Sequence, residues 1–338
     1  MYIYCNREIH KESEKEMKKI ILFEPGIGTD NLGDQVIVEG VKTAISPLLQ
    51  DAFTIEFSTH TPLYNRHVKH CENADFKFVC GSNLLVGNLG VPIRFRQWPI
   101  NLWTSSSLKP CILVGVGAQK YGQKIGPYTK AVYRRILDSN YMHSVRDSFT
   151  EEQLKAAGFN NVLNTGCPTM WGLTEEVCRQ IPEMKSKKVI FTLTDYSQDK
   201  TRDTELIKIL KEQYDELWFW PQGSRDLDYL KTLDCHNIKL IGPSLSAYDT
   251  FLETEKADYV GTRLHGGMRA LQHKRRTIIL GIDNRAIELH RDYNIPMVKQ
   301  ENLKSLGDII SNTWKTKIKL PVDSIKKFLK QFGIDYSA

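Results

Sequence analysis

The sequence predicts an α/β protein in which two Rossmann-like domains face a cleft. Short β-branched runs alternate with helical stretches, which is the pattern of parallel sheets flanked by helices. The alternation stops in the polar segment 172–188 and then starts again. The chain has 338 residues, enough for about two domains of ordinary size. We therefore expect one domain in residues 1–175 and a second in residues 176–338.

The first half contains the predicted elements of one such domain. Apolar or alternating runs predict strands over residues 18–26, 52–59, 76–82, 110–118, 142–147 and 161–166. Helical periodicity predicts helices over 34–45, 126–139 and 148–158. Ser148 and Glu151 have the spacing of a capping box at the start of the last of these helices.

The second half repeats the pattern. Strands are predicted over residues 188–194, 216–223, 237–242, 257–262 and 277–282, with helices over 202–214 and 246–256 between them. At the end of the chain, residues 324–332 place apolar side chains at i, i+3, i+4 and i+7 of a helix. We expect this helix to pack onto a domain; its lysines leave a contact with a membrane surface open.

Composition indicates an ordinary soluble protein, with 41% hydrophobic and 25% charged residues. No window approaches the roughly 18–20 apolar residues of a membrane span, and the N-terminus lacks a secretory-signal pattern, so we expect a cytoplasmic protein. The seven cysteines form no Cys-x-x-Cys pair, which favours buried thiols over a metal site. The net charge of +6 comes from dispersed Lys and Arg, which favours acidic substrates or an anionic surface without indicating nucleic acid.

Ligands in α/β proteins collect where strands end and helices begin. The first such junction, residues 24–37, contains Gly26, Gly28 and Gly33. Because Asn31 stands where a dinucleotide fingerprint needs its third glycine, dinucleotide binding is not expected. The loop still allows backbone to approach a ligand, while Asp34 as a helix N-cap and Asn31 as a turn residue are an equally good interpretation.

Two further junctions carry arginine. Arg146 ends a strand directly before a helix, where a guanidinium suits bidentate binding of carboxylate or phosphate; an ion pair with Asp147 is the alternative. In residues 262–273, TRLHGGMRALQH, Arg263 and His265 differ by two positions and are expected to point the same way in an extended loop. Gly266 then opens a helix, and the combination favours a site for an anion.

Together these segments resemble the polysaccharide pyruvyl transferase family. The matching features are Asn31-Leu-Gly33-Asp34, SVRD at residues 144–147 and TRLHGGMRAL followed by GIDNRAIEL. The resemblance runs from about residue 20 to 300. It departs from the family pattern where Cys167-Pro168 replaces Asp-Pro, where Gly81-Ser82-Asn83 replaces a glycine-rich GGG, and where Arg285 replaces a lysine.

The resemblance implies a GT-B type fold and transfer of a pyruvyl group from phosphoenolpyruvate onto two sugar hydroxyls, giving a cyclic ketal. It implies that Arg146, Arg263 and His265 handle the donor, with Arg285 as a further anion contact. Asn31, Asp34 and Gly266 are expected to contact substrate. His265 is the expected acid and base, because an imidazole exchanges protons near neutral pH. No metal or cofactor is expected, since arginines neutralise the phosphate.

The acceptor is expected on the first half, where Tyr64, Trp98 and Trp103 offer faces for a sugar or pack in the core. A lipid-linked oligosaccharide at the inner membrane face is the natural acceptor; a nucleotide-linked sugar, a finished polymer and a homo-oligomeric state stay open. Two other functions also remain. One is a GT-B glycosyltransferase with a nucleotide-sugar donor, and the other is a non-catalytic sugar-phosphate-binding protein.

Overall fold

Parallel strands form a four-stranded and a two-stranded sheet in the first half of the described chain and a six-stranded sheet in the second. They are seen in a computed structural model that describes residues 17–62, 64–90 and 96–336. Within this part of the chain, no helix is long and apolar enough to cross a membrane.

The first half alternates strands and helices as the sequence predicts. Its strands are β1 (Lys18–Glu24), β2 (Ala52–Ser58), β3 (Phe76–Cys80), β4 (Ile112–Val114), β5 (His143–Val145) and β6 (Val162–Asn164). Its helices are α1 (Leu32–Ala44), α2 (Ser46–Gln50), α3 (Asn65–Cys71), α4 (Leu102–Leu108), α5 (Pro127–Ile136) and α6 (Ser148–Ala156). The capping box predicted at Ser148 is wrong, because the N-cap of α6 is Asp147, whose carboxylate accepts a hydrogen bond from the Thr150 N–H.

The second half follows a short helix, α7 (Glu175–Arg179). Its strands are β7 (Lys188–Thr192), β8 (Glu216–Phe219), β9 (Ile238–Leu240), β10 (Ala257–Gly261), β11 (Thr277–Gly281) and β12 (Met297–Lys299). Its helices are α8 (Lys200–Gln213), α9 (Asp226–Leu230), α10 (Leu245–Thr254), α11 (Leu264–Gln272), α12 (Asn284–Tyr293), α13 (Leu306–Ser311) and α14 (Val322–Lys330).

Strand order fixes where a ligand can bind. The first sheet has the order β2-β1-β3-β4, and a bridge from Val116 to Val145 connects it to the pair β5-β6. The second sheet has the order β12-β11-β10-β7-β8-β9, with all strands parallel. The order reverses between β1 and β3 in one sheet and between β7 and β10 in the other. The loops after these strands diverge there and leave a crevice.

The two halves share a hydrophobic core beneath that crevice. Met170 and Trp171, which lie between β6 and α7, are buried together with Val36 of α1 and Met268 of α11. Side chains that touch across this contact lie far apart in sequence. The floor of the crevice is therefore packed from both halves and holds them together.

Helix α14 packs onto the body of the protein, as its apolar face predicts. Ile325, Phe328 and Leu329 are buried. Phe332, just after the helix, contacts the Phe78 ring on the first sheet with ring centroids 5.3 Å apart. The last helix thus returns to the first half of the chain.

Candidate active site

A polar cleft of about 780 Å³ lies between loops of the two halves. The loop before and into α1 lines it, together with the loops that follow β3, β4, β7 and β11. These loops include the two switch points of the sheets. The sequence-predicted site residues on this lining are Asn31, Asp34 and Arg285.

Arg146 lies directly behind the cleft and is 1% exposed. Its Nη1 donates to Asn83 Oδ1 at 2.5 Å and its Nη2 to the Tyr121 hydroxyl at 3.2 Å, and both partners line the cleft. The ion pair with Asp147 that the sequence left open is also present, at 3.1 Å. Gly117 leaves room for the guanidinium, since a Cβ there would stand 2.4 Å from Cζ. Arg146 is thus fixed in position at the edge of the cleft.

Arg285 reaches the cleft from the other half, at the start of α12. Its Nε donates to Asp283 Oδ2 at 2.9 Å, and its Nη2 donates to the Tyr196 hydroxyl at 2.5 Å. Its side chain keeps 21% of its surface exposed. Arg285 is therefore both held in place and open to a ligand.

His265 is buried and is not on the cleft lining, and the charges of both arginines act on it. It lies in the first turn of α11 and packs against Gly33 of α1, where an added Cβ would stand 3.3 Å from the His265 Cβ. In sequence, Gly33 lies between the lining residues Asn31 and Asp34. Burial, followed by the positive charges of Arg285 and Arg146, lowers its pKa from 6.5 to about 3. The imidazole is therefore neutral at pH 7.

Asp34 faces the cleft from the first turn of α1. Its Oδ2 accepts a hydrogen bond from the Thr29 hydroxyl at 2.7 Å. Burial raises its pKa, against the opposing effects of that hydrogen bond and of the His60 and Arg285 charges. Asn31 caps α1, as its Oδ1 accepts from the Gly33 N–H at 3.1 Å. A carboxyl group with a raised pKa in a polar cleft can exchange protons with a hydroxyl ligand.

Arg263 does not join this group, which corrects the expectation that it points the same way as His265. Helix α11 begins at Leu264, so the alternation of an extended loop does not apply. Its Nε donates to Asp226 Oδ2 at 3.1 Å, and its Nη2 donates to Asp195 Oδ1 at 2.8 Å and to Asp226. Two carboxylates therefore already neutralise this guanidinium, which is 3% exposed.

Gly266 is not on the cleft lining either, and its small size serves packing instead. The amide of Gln222 lies between Gly266 and Gly33: a Cβ on Gly266 would stand 2.9 Å from Gln222 Oε1, and one on Gly33 2.6 Å from Gln222 Nε2. Gln222 Nε2 also donates to Asn31 Oδ1 at 2.8 Å. The glycines of both predicted motifs thus allow one glutamine to connect the two halves.

The three aromatic residues expected to hold a sugar do not line the cleft that the described residues form. Trp98 is 2% exposed and packs in the core of the first half, which is the alternative that the sequence left open for it. Tyr64 and Trp103 are strongly exposed but lie outside the cleft. The aromatic side chains on the lining are Tyr121 and Tyr196.

Sequence reasoning missed the residues that position the arginines. The Tyr196 ring lies under Arg263, with Cζ 4.9 Å from the centroid, while its hydroxyl accepts from Arg285. Asn83 and Asp226 hold Arg146 and Arg263. Their partners are distant in sequence, so no spacing pattern indicates them. The departure at Gly81-Ser82-Asn83 was the one available signal for Asn83.

Solved structures of low sequence identity share the fold of this chain. UDP-GlcNAc 2-epimerase of Methanocaldococcus jannaschii, in complex with UDP-GlcNAc and UDP, shares 11% identity over 94% of this chain and 99% of its own, with a TM-score of 0.53. MnaA of S. aureus with UDP shares 10% identity over 93% and 91%, also with a TM-score of 0.53. The protein has the GT-B fold that the sequence predicts.

The family is shown by the sequence itself. The model of the polysaccharide pyruvyl transferase family matches residues 31–284, and this chain belongs to that family. The match includes Asn31-Leu-Gly33-Asp34, SVRD at residues 144–147 and TRLHGGMRAL, and it ends one residue before Arg285. No curated protein sequence matches the chain.

Proposed function

We propose that the protein transfers the pyruvyl group of phosphoenolpyruvate onto two hydroxyls of a sugar and forms a cyclic ketal. The observation that supports this function is a cation on the lining of a polar cleft, Arg285, with the buried Arg146 from the other half behind that lining. The charges of both act on the buried imidazole of His265. Phosphoenolpyruvate carries a phosphate and a carboxylate on a three-carbon skeleton. One cation on the lining and a second behind it supply the positive charge that such a ligand requires.

Arg285 is the direct contact for the donor in this proposal, because part of its side chain is exposed. Arg146 acts from behind the lining, through its own charge and through Asn83 and Tyr121. Arg263 holds the loops around Tyr196 in place. It is a positioning residue rather than a donor ligand.

Donor binding would prepare His265 for proton transfer. The charges of Arg285 and Arg146 contribute to its low pKa in the empty site. A bound trianion neutralises these charges and raises the pKa of the imidazole. His265 then delivers a proton to the methylene carbon, which leaves C2 electrophilic.

The sugar supplies two hydroxyls in the remaining steps. The first adds to C2 and loses its proton to Asp34, whose raised pKa suits it as a base. The C2–O bond to phosphate breaks, and the second hydroxyl adds to C2 and gives its proton to the departing phosphate. The proton on Asp34 then returns to His265 through solvent, which restores both groups. The two hydroxyl protons thus account for the one gained by carbon and the one gained by phosphate, and the products are the ketal and hydrogen phosphate.

Thermal stabilisation by the donor tests the proposal. A ligand at about a hundred times its Kd stabilises a protein by about 2.7 kcal/mol, so phosphoenolpyruvate should raise the melting temperature. Arg285→Met should abolish that rise. Arg291→Met is the matched control, because Arg291 lies at the other end of α12 and pairs with Glu288 and Asp292.

A rise in melting temperature with uridine diphosphate sugars and none with phosphoenolpyruvate would instead support a nucleotide-sugar glycosyltransferase.

Turnover provides the second arm of the test. His265→Ala should reduce it by at least roughly a hundredfold, the usual size of general acid–base assistance. Near-normal turnover in this variant would exclude His265 as the proton donor.

A further inference from the structure

Residues 76–137 contain neither Asp nor Glu over 62 positions. The same stretch holds nine basic residues: Lys77, Arg94, Arg96, Lys109, Lys120, Lys124, Lys130, Arg134 and Arg135. The rest of the chain has 37 Lys and Arg against 40 Asp and Glu. The entire positive excess of the protein therefore comes from this one stretch, although its cations are well separated along the sequence.

The stretch forms β3, α4, β4 and α5, and α4 packs against α5. Lys109, Arg134 and Arg135 are exposed at the ends of these two helices. Arg135 Nη2 donates to the Ser106 hydroxyl of α4 at 2.9 Å. These three cations thus lie on the outer surface that α4 and α5 form together.

Large apolar side chains are exposed on the same surface. Trp103 in the first turn of α4 is 87% exposed, and its neighbour Leu102 is 37% exposed. Tyr128 in the first turn of α5 is 44% exposed. Ser106, the partner of Arg135, lies one helical turn after Trp103, so the guanidinium and the indole are close neighbours. We call Leu102, Trp103, Tyr128, Lys109, Arg134 and Arg135 the α4–α5 surface.

The α4–α5 surface adjoins the cleft. Gln97, five residues before α4, lines it, as do Lys120 and Tyr121 in the loop that leads to α5. A large partner bound to this surface would therefore lie next to the opening of the cleft.

We propose that the α4–α5 surface binds the protein to an anionic phospholipid bilayer. Tryptophan and tyrosine favour the interface between lipid and water, and each Lys or Arg near an anionic leaflet adds attraction. A soluble polyanion would need the cations but not an exposed tryptophan flanked by leucine. The contact is peripheral, because the helices involved lie on the surface and are short. This binding does not depend on the chemistry proposed for the cleft.

Vesicle sedimentation of the full-length protein tests the proposal. Vesicles of phosphatidylcholine with phosphatidylglycerol should carry the protein down, and vesicles of phosphatidylcholine alone should not. Trp103→Ala should weaken binding several-fold, and the double change Arg134→Glu with Arg135→Glu by at least about tenfold. The matched control is Lys326→Glu with Lys327→Glu, which reverses two exposed lysines on α14.

Unchanged melting temperatures will show that all variants are folded. Three results would overturn the proposal: no binding to the anionic vesicles, an equal loss in the α14 control, or vesicle binding unaffected by Trp103→Ala. Binding to heparin with the same affinity as to the vesicles, and without dependence on Trp103, would likewise overturn it and assign the surface to a soluble polyanion.

Discussion

The thiol of Cys167 lies 3.8 Å from Nε2 of His265. The contact links the segment between β6 and α7 to helix α11. Cys167 also accepts a hydrogen bond from the Thr169 hydroxyl at 3.1 Å. Burial raises the pKa of the thiol, so the neighbour of the imidazole is neutral at pH 7. The charged groups that act on His265 are Arg285, Arg146 and Asp283.

We predict that Cys167→Asp raises the pKa of His265. A carboxylate at this distance favours the imidazolium and typically shifts a pKa by roughly one to three. An acid with a higher pKa stays protonated to higher pH. The limb of the kcat/KM profile that follows the ionisation of His265 should therefore shift to higher pH. NMR titration of the imidazole measures the same change directly. Cys167→Ser, which adds no charge, should leave the profile in place; a Cys167→Asp profile that superimposes on wild type contradicts the prediction.

Replacing Arg263 should mainly lower stability, whereas replacing Arg285 should mainly weaken donor binding. Arg263→Met leaves the buried carboxylate of Asp226 without its cation, which typically costs about 3–5 kcal/mol. Asp195 keeps its second partner, Arg225, at 3.3 Å. Arg285→Met should weaken phosphoenolpyruvate binding, with little effect on stability, because its side chain is partly exposed. Urea unfolding and calorimetry measure the two quantities. A stable Arg263→Met variant that has lost only donor affinity would restore Arg263 as a donor ligand.

Gly33 and Gln222 should be energetically coupled. In Gly33→Ala the new methyl group displaces the Gln222 amide and breaks its hydrogen bond to Asn31. In a Gln222→Ala background the same change should cost less, since the clash is gone. Unfolding free energies of the two single variants and the double variant should give a coupling of about 1 kcal/mol or more. Additive costs would show that the contact does not hold the halves together.

His143 should make the protein sensitive to acid. Its Nδ1 accepts from the Leu113 N–H at 3.2 Å and its Nε2–H donates to the Asp138 carbonyl at 2.9 Å, so the buried ring is neutral. Burial lowers its pKa from 6.5 to about 4. Below pH 6.5 His143 therefore binds a proton in the unfolded chain but not in the folded protein. The free energy of unfolding falls as the pH decreases towards 4.

At pH 5 the loss from His143 alone should be about 2 kcal/mol relative to pH 7. His143→Gln supplies an acceptor and a donor without a titrating group, and it should lose correspondingly less between these pH values. Urea unfolding at pH 7 and pH 5 measures the difference. Equal losses in the variant and the wild type would show that His143 titrates normally.

The sequence determined the order of strands and helices, the GT-B fold and the apolar face of α14, because periodicity and turn residues are properties of neighbours along the chain. It also located Asp34 and Arg285, which follow predicted strands. The sequence did not predict the first residue of each helix as well. The N-cap of α6 is Asp147 and not Ser148, one residue later. Helix α11 starts at Leu264, and Arg263 therefore does not point the same way as His265.

Only the tertiary structure decided which arginines meet. Asp226, 37 residues before Arg263, holds that guanidinium away from the cleft, while Tyr196 directs Arg285 toward it from 89 residues away. Such pairs form when loops from different strands come together, and the energy that selects them depends on distance in space. A sequence states which groups are present near a strand end; packing of the two halves determines which of them face one another.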